Sequence, residues 1–275
     1  MNAPQTLLAA QALAEGLPKL LLAAERLAFV AAPGLHGRRR AGPGEAFWQF
    51  RDFRDGDDAR RIDWRRSARG DRLYLREREW EAQASVSLQL QDTPSLGFAS
   101  DGAVPAKRDR AALLLLALGA ILLRSGERVS LYGRTTPLTG PRALPTIAAA
   151  LIGGTAGGGE ADPDPKARRV VFGDFLVPNP GFARQPGGAV MQILDPAECD
   201  FPYRGRILFE GFAREPALEA SHAESWAETY RTRIAAQRES VARAAMEAGQ
   251  TPLFHRTDHP PAQALAAIYN ALLRR

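Results

Sequence analysis

Residues 107 to 124 form the stretch that most restricts how this chain can fold. They include the run AALLLLALGAILL, from Ala111 to Leu123, in which every residue is non-polar. A helix that is apolar on nearly all sides is stable only when other elements cover it. We therefore predict a largely buried helix over Lys107–Arg124. With 275 residues, 45% of them hydrophobic, the chain is long enough to build a core around such a helix.

Segments typical of β-strands alternate with helical segments along the rest of the chain. The predicted strands are Ser85–Gln91, Val129–Tyr132, Arg169–Phe175, Val190–Leu194, Arg206–Phe209 (an edge strand) and Pro252–His255. The other predicted helices are Leu144–Ile152, Ser221–Ala248 and Pro261–Arg275. This order predicts an α/β fold with a mostly parallel sheet and helices on both faces.

Sheets of this kind bind ligands in the crevice outside the carboxyl ends of their strands. Three loops of the chain follow predicted strands and would lie at that edge. They are Gln91–Phe98, Gly133–Gly140 and Gly173–Pro178. We therefore expect any ligand site of the α/β domain to be built from these loops.

The segment Gly37–Glu81 is unusual because it contains thirteen arginines, ten acidic residues and no lysine. A planar guanidinium binds a carboxylate through two hydrogen bonds and stacks on aromatic rings, which an ammonium group does not. One interpretation is a half-buried ion-pair network that fixes this segment, with Phe53 and Trp64 packed beneath it and Asp63 capping a helical turn. The residues assigned to the network are Arg51, Asp57, Arg61, Asp63, Trp64, Arg69 and Arg76.

A second interpretation of the same segment is a docking surface for an acidic partner. Consecutive arginines cannot all point inward, so the candidates are Arg38, Arg39, Arg40, Arg65 and Arg66. Residues 3–30 precede the segment and carry an approximate helical stripe of leucines. We therefore divide the chain into an N-terminal helix with the Arg-rich module, residues 1–84, and the α/β domain, residues 85–275.

Composition excludes several classes of site. Cys199 is the single cysteine, so neither an internal disulfide nor a cysteine-based zinc site can form. A net charge of +5 permits an anionic partner, but 31 acidic residues nearly balance 36 basic ones, which argues against a dedicated nucleic-acid binder. The leucine-rich stretch Leu17–Pro33 is interrupted by charges, so we expect no transmembrane segment and a cytoplasmic protein.

The spacing of several motifs in the Arg-rich segment resembles the signature of the bacterial domain-of-unknown-function-58 family. These motifs are Gly42-Pro43-Gly44-Glu45, Arg51, Phe53, Gly56-Asp57, Arg61-Ile62-Asp63-Trp64, Ala68-Arg69 and Arg76-Glu77. The rest of the chain, residues 85–275, resembles a von Willebrand factor A domain. The resemblance implies an α/β fold of that type and no established enzymatic activity. It also implies a MoxR-type AAA+ ATPase as partner, in the assembly or activation of other protein complexes.

A von Willebrand factor A domain often carries a Mg²⁺ site that begins with Asp-x-Ser-x-Ser after the first strand. In this chain the motif is degenerate, and two alignments remain open. If Asp92 is the family aspartate, Pro94 and Leu96 occupy the hydroxyl positions. If the following Leu-Gly-Phe sets the alignment, Thr93 and Ser95 supply the hydroxyls and Gln91 replaces the aspartate.

A local backbone shift would still bring together the oxygen ligands that Mg²⁺ prefers. They are Asp92, Thr93, Ser95 and Asp174, with Thr135 or Thr136 as a later hydroxyl. The alternative is structural, in which Asp92 and Asp174 only cap backbone amides at the strand ends.

From these features we expect a non-enzymatic adaptor that works with a MoxR-type ATPase and an unknown client protein. Two alternatives remain open at this point. The first is a nucleic-acid-binding module, suggested by the basic isoelectric point of about 9.8. The second is a metal-dependent hydrolase that uses Asp92 and Asp174, with Asp195 as a third carboxylate.

Overall fold

The computed structural model describes residues 20–30, 47–54, 57–68, 70, 72–78, 84–91, 93–134, 136–153, 164, 166–176, 181–212 and 215–273. These residues divide into two compact units. One unit contains helix α1 (20–30) and the described residues from Ala84 onward, and the other lies within His36–Gln83. Helix α1, which the sequence grouped with the Arg-rich segment, instead contributes Ala24, Leu27 and Ala28 to the core of the α/β unit.

The α/β unit is built on a five-stranded sheet in which all strands are parallel. Its strands are β3 (Ser85–Leu90), β4 (Arg128–Leu131), β5 (Arg168–Gly173), β6 (Ala189–Leu194) and β9 (Thr251–Arg256). Their spatial order is β4-β3-β5-β6-β9, so the order reverses between β3 and β5. That reversal marks the place where ligands bind in such sheets. Leu138 adds a single antiparallel bridge to Val129 on the outer side of β4.

Helices cover both faces of the sheet, as the sequence predicts. The helices of this unit are α3 (Lys107–Arg124), α4 (Leu144–Ile152), α5 (Pro196–Asp200), α6 (Ala227–Glu247) and α7 (Pro261–Leu273). One core joins α1, α3, α4 and α7 to one face of the sheet. A smaller core on the other face joins Val171 and Val190 to Val241 and Ala245 of α6.

Helix α3 lies at the centre of the larger core. Leu114–Leu118 are fully buried, which confirms the prediction from its apolar sequence. Alternation along β3 explains why this face is the apolar one. Val86, Leu88 and Leu90 point into the larger core, whereas Ser87 and Gln89 belong to the opposite face.

The predicted edge strand Arg206–Phe209 does not join the main sheet. Residues Ile207–Phe209 form β7, which pairs antiparallel with β8 (Leu218–Ala220) in a separate two-stranded sheet. Phe209 stacks against Phe201 and Trp226, at ring-centroid distances of 5.9 Å in both cases. These aromatic contacts of Phe209 hold the hairpin against the rest of the α/β unit.

The smaller unit contains an antiparallel pair, β1 (Phe47–Asp52) and β2 (Tyr74–Arg78), and the short helix α2 (Trp64–Ser67). Ile62 forms an isolated antiparallel bridge with Leu75 of β2, and both side chains are buried. Among the described residues of the whole chain, no helix combines the length and the apolar character needed to span a bilayer.

Candidate functional site

The candidate site lies at the carboxyl ends of β3 and β5, where the strand order reverses. Three of the predicted metal ligands come together there. The Thr93 Oγ1 atom lies 3.0 Å from Ser95 Oγ and donates to Asp174 Oδ1 at 3.4 Å. The Asp174 side chain is 1% exposed, so its charge is removed from water and needs a partner inside the protein.

That partner is Lys107, the first residue of α3. Its Nζ atom donates to Asp174 Oδ2 at 2.9 Å and to Glu198 Oε1 at 2.5 Å. The Lys107 side chain is fully buried, and its Nζ atom also lies 5.8 Å from the centroid of the Phe98 ring. A buried ammonium is stable only when it is paired and hydrogen-bonded, and here two carboxylates meet that requirement.

Glu198 is held in place by a capping box at the start of α5. Its Oε2 atom accepts from the backbone N–H of Asp195 at 2.8 Å, and Asp195 Oδ1 accepts from the N–H of Ala197 at 2.8 Å. Burial raises the pKa of Glu198, and the attraction of Lys107 opposes that shift. The Glu198 carboxylate therefore joins two functions, since one oxygen caps a helix and the other binds the ammonium.

The backbone around Asp174 is fixed by two amide side chains. Gln192 Nε2 donates to the Asp174 carbonyl at 3.0 Å, and Gln237 Nε2 donates to the Phe175 carbonyl at 2.6 Å. Phe175 has a φ of 51°, a strained conformation for a side chain of this size. These bonds hold the turn after β5 in the shape that directs the Asp174 carboxylate toward Lys107.

A family model described as "Protein of unknown function DUF58" matches residues 49–240 of this chain. The chain belongs to the DUF58 family. The resemblance seen in the sequence is thereby confirmed. Uncharacterized proteins of Mycobacterium bovis and of two Mycobacterium tuberculosis strains are each 27% identical over 247 residues, covering 79% of this chain and 76% of the relative. No solved structure matches the chain.

Of the remaining metal candidates of this DUF58 chain, those that the structure describes do not join the cluster. Asp92 and Thr135 lie outside the described residues, and Thr136 is exposed. Asp195 is fully buried, but its oxygens accept from the backbone N–H groups of Ala197 and Ser100. The part of the chain that the structure describes contains no group of three or more His, Cys, Asp or Glu residues able to hold a metal ion.

Sequence reasoning missed Lys107 and Glu198, which are central to the site. Two signals pointed to them. Lys107 is one of only three lysines in the chain, and it precedes the most apolar helix. Asp195-Pro196-Ala197-Glu198 has the spacing of a capping box with proline at the first helical position.

Only part of the Arg-rich motif that characterises this DUF58 chain can be placed in three dimensions. Arg38, Arg39, Arg40 and Arg69 lie outside the described residues. The backbone of Arg51, Arg61 and Arg76 is described, but their side chains lie outside the described part of the structure. The predicted ion-pair network of these arginines therefore stays a prediction. Asp57 contributes a local contact, because its Oδ2 atom accepts from the N–H of Arg54 at 2.8 Å.

The helical turn at Asp63 is confirmed, but the position predicted for Trp64 is wrong. Asp63 Oδ1 accepts from the N–H of Arg66 at 3.0 Å and so caps α2. Ser67 Oγ donates to the Asp63 carbonyl and accepts from the N–H of Tyr74, which ties the turn to β2. Held in this way, α2 directs Trp64 outward, and its side chain is 63% exposed instead of packed beneath the arginines.

A second buried polar cluster lies where β9 leads into α7. Arg110 of α3 donates to the carbonyls of Thr257 and His259 at 2.7 and 3.0 Å, and so fixes the connecting loop. His255 is 4% exposed, close to this guanidinium. Burial, reinforced by the positive charge of Arg110, lowers the pKa of His255 to about 4 from 6.5. His255 is therefore neutral in the folded protein at physiological pH.

We expect the DUF58 chain to lose stability as the pH falls from about 6.5 toward 4. In that window the unfolded chain binds a proton at His255 and the folded chain does not, so the free energy of unfolding falls by up to about 1.4 kcal/mol per pH unit. Thermal unfolding measured across this range would check the effect. The variant His255→Gln removes the titrating group and should flatten the profile, whereas the exposed His222→Gln should leave it unchanged. An equal slope in all three proteins would contradict the assignment.

Proposed function

We propose that this chain is a non-enzymatic protein-interaction module of the cytoplasm. Its partner, following the family resemblance, is a MoxR-type AAA+ ATPase, and together they assemble or activate another protein complex. The observation that carries this proposal is the exposed side chain of Trp64 on a rigid helical turn. Arg65 and Arg66 are also exposed on the same turn.

Tryptophan and arginine are the residue types that contribute most binding energy at protein interfaces. The turn that presents them is already ordered by the Asp63 cap and by the two hydrogen bonds of Ser67. The Arg66 guanidinium lies 5.1 Å from the centroid of the Tyr74 ring, which further limits its freedom. A preordered surface loses little conformational entropy on binding. The chemistry fits a partner with an apolar pocket bordered by acidic residues.

Among the described residues at the sheet edge, the geometry gives the hydrolase alternative no support. Such a mechanism needs carboxylates that can hold a metal or activate water. Asp174 instead binds Lys107 and Thr93, and both oxygens of Asp195 accept backbone hydrogen bonds. For the nucleic-acid alternative, the test is the salt dependence of binding, which is steep for any protein that neutralises phosphates.

The proposal is tested by co-purification of the full chain from a native bacterial extract, with and without ATP and Mg²⁺. We expect a MoxR-type ATPase to be recovered with the wild-type chain. The variant Trp64→Ala should weaken that complex by about 30-fold or more, because truncating an interface tryptophan typically costs about 2 kcal/mol or more. Titration calorimetry with the purified ATPase would measure the change in Kd.

The matched control for this experiment is Leu218→Ala on the hairpin. Leu218 is 59% exposed, close to the exposure of Trp64, but it lies outside the Arg-rich segment. It should leave the affinity unchanged. Recovery of no ATPase under any nucleotide condition would overturn the partnership. Equal affinities of the wild type and Trp64→Ala would show that the helical turn is not the contact surface.

A further inference from the structure

We infer that the ammonium group of Lys107 takes the place of the divalent cation at the sheet edge, so that this chain closes the site without metal. The Mg²⁺ that the fold resemblance implies does not fit the residues present. This inference concerns the α/β unit alone and does not depend on the proposed partner.

The first argument is position. A cation at the reversal of strand order would be bound by hydroxyl and carboxylate oxygens from the β3 and β5 loops. Those oxygens are present as Thr93, Ser95 and Asp174, and the Thr93 hydroxyl hydrogen-bonds to both of the others. The positive charge against them is Lys107 Nζ, 2.9 Å from Asp174 Oδ2. Lys107 is the first residue of helix α3, so the helix holds the backbone of this lysine in place.

The second argument is charge. A divalent ion bound to Asp174 would lie within a few ångströms of a buried ammonium, and like charges in such an environment repel strongly. In the alignment that supplies Thr93 and Ser95 as hydroxyls, the position of the carboxylate expected at the start of the motif is Gln91, a neutral side chain packed against Gly173. Lys107 is instead balanced by Glu198, which completes a pairing that is internal to the chain.

The third argument is access. Metal-dependent adhesion requires an open coordination position through which a partner's carboxylate reaches the ion. Lys107 is fully buried, and its hydrogen bonds end on two carboxylates of its own chain. Glu198 thus binds the ammonium from within the chain, as a partner's acidic side chain would bind a metal ion. The two ion pairs of Lys107 therefore connect the end of β5, α3 and α5 through contacts within the chain.

The test uses the purified full chain and Mn²⁺, whose electron paramagnetic resonance signal reports the free ion. We expect the wild type and the variant Asp174→Asn to bind Mn²⁺ equally little, and EDTA to leave the melting temperature of the wild type unchanged. Stoichiometric Mn²⁺ binding by the wild type that disappears in Asp174→Asn would overturn the inference. This comparison decides the matter even if no variant at Lys107 folds.

A second variant tests the same inference by a gain of metal binding. Lys107→Met removes the charge but keeps a similar aliphatic chain, and leaves Asp174 and Glu198 beside the hydroxyls of Thr93 and Ser95. Mn²⁺ should then bind and raise the melting temperature by about 5 °C at about 100 times its Kd. The double variant Lys107→Met with Asp174→Asn should lose that response. A folded Lys107→Met protein whose stability ignores Mn²⁺ would count against the ammonium as a replacement for the ion.

Discussion

Replacing Lys107 with methionine is expected to lower the free energy of unfolding by about 3–5 kcal/mol in the absence of metal. The substitution nearly conserves volume, so packing is not the main cause. The loss arises because Asp174 and Glu198 stay buried without the ammonium that neutralises them. Removing one partner of a buried ion pair leaves an uncompensated charge in a medium that solvates it poorly. Urea denaturation at neutral pH, in the presence of EDTA, would measure the change.

The matched variant for this measurement is Glu198→Gln. Glutamine keeps an oxygen that can accept from Lys107 and removes a carboxylate whose pKa burial has raised, but its amide nitrogen cannot accept from the N–H of Asp195. We expect it to cost about 1 kcal/mol, the usual size of one altered hydrogen bond. If Lys107→Met proved as stable as the wild type, the ion pairs of Lys107 with Asp174 and Glu198 would contribute nothing to the stability of the fold. The description of Lys107 as the balancing charge would then be wrong.

Replacing Gly188 with alanine is expected to destabilise the chain by about 3 kcal/mol, at the upper end of the range for overpacked sites. Gly188 is buried immediately before β6, beside Arg169 of the neighbouring strand. An added Cβ atom would lie 2.2 Å from the carbonyl oxygen of Arg169. The obstacle is backbone rather than a side-chain tip, so the strands themselves would have to separate.

The control for Gly188→Ala is Gly102→Ala in the same protein. Gly102 is exposed in the loop before α3, and an added Cβ atom there would meet nothing within 4 Å. That variant should unfold within about 0.5 kcal/mol of the wild type. The measurement is thermal and urea unfolding of both variants, followed by circular dichroism. Equal stability of Gly188→Ala and Gly102→Ala would mean that β5 and β6 tolerate a wider spacing than the structure shows.

The sheet could be predicted from the sequence because its signal is local. Alternation in Ser85–Gln91 and the apolar runs at Arg169–Phe175 and Val190–Leu194 each reveal a strand without reference to distant residues. Parallel pairing then places Thr93 and Asp174 at one edge. The hairpin of β7 and β8 was not predicted, because a three-residue strand carries too little periodicity to show which sheet it joins.

The polar interior of the site could not be predicted in the same way. Lys107 meets its carboxylates across sequence separations of 67 and 91 residues, and no local pattern encodes such a meeting. The prediction that the Trp64 side chain is buried was wrong for a different reason. Its apolar surface predicts burial, but the cap by Asp63 fixes the orientation of a helical turn only four residues long. On so short a helix, the Asp63 cap and the two hydrogen bonds of Ser67 decide which side chain faces water.

The two outer strands of the parallel sheet have a consequence for the behaviour of the protein at high concentration. Unpaired strand edges invite pairing with other chains and so promote aggregation. On β4, Val129 and Leu138 exchange both backbone hydrogen bonds, at 2.9 and 2.7 Å, and thereby occupy part of that edge. On β9, the N–H of Thr251 faces inward to Gly188, so the next backbone position, Pro252, faces outward and lacks a donor. Both margins of the sheet are thus poor templates for intermolecular β-sheet growth.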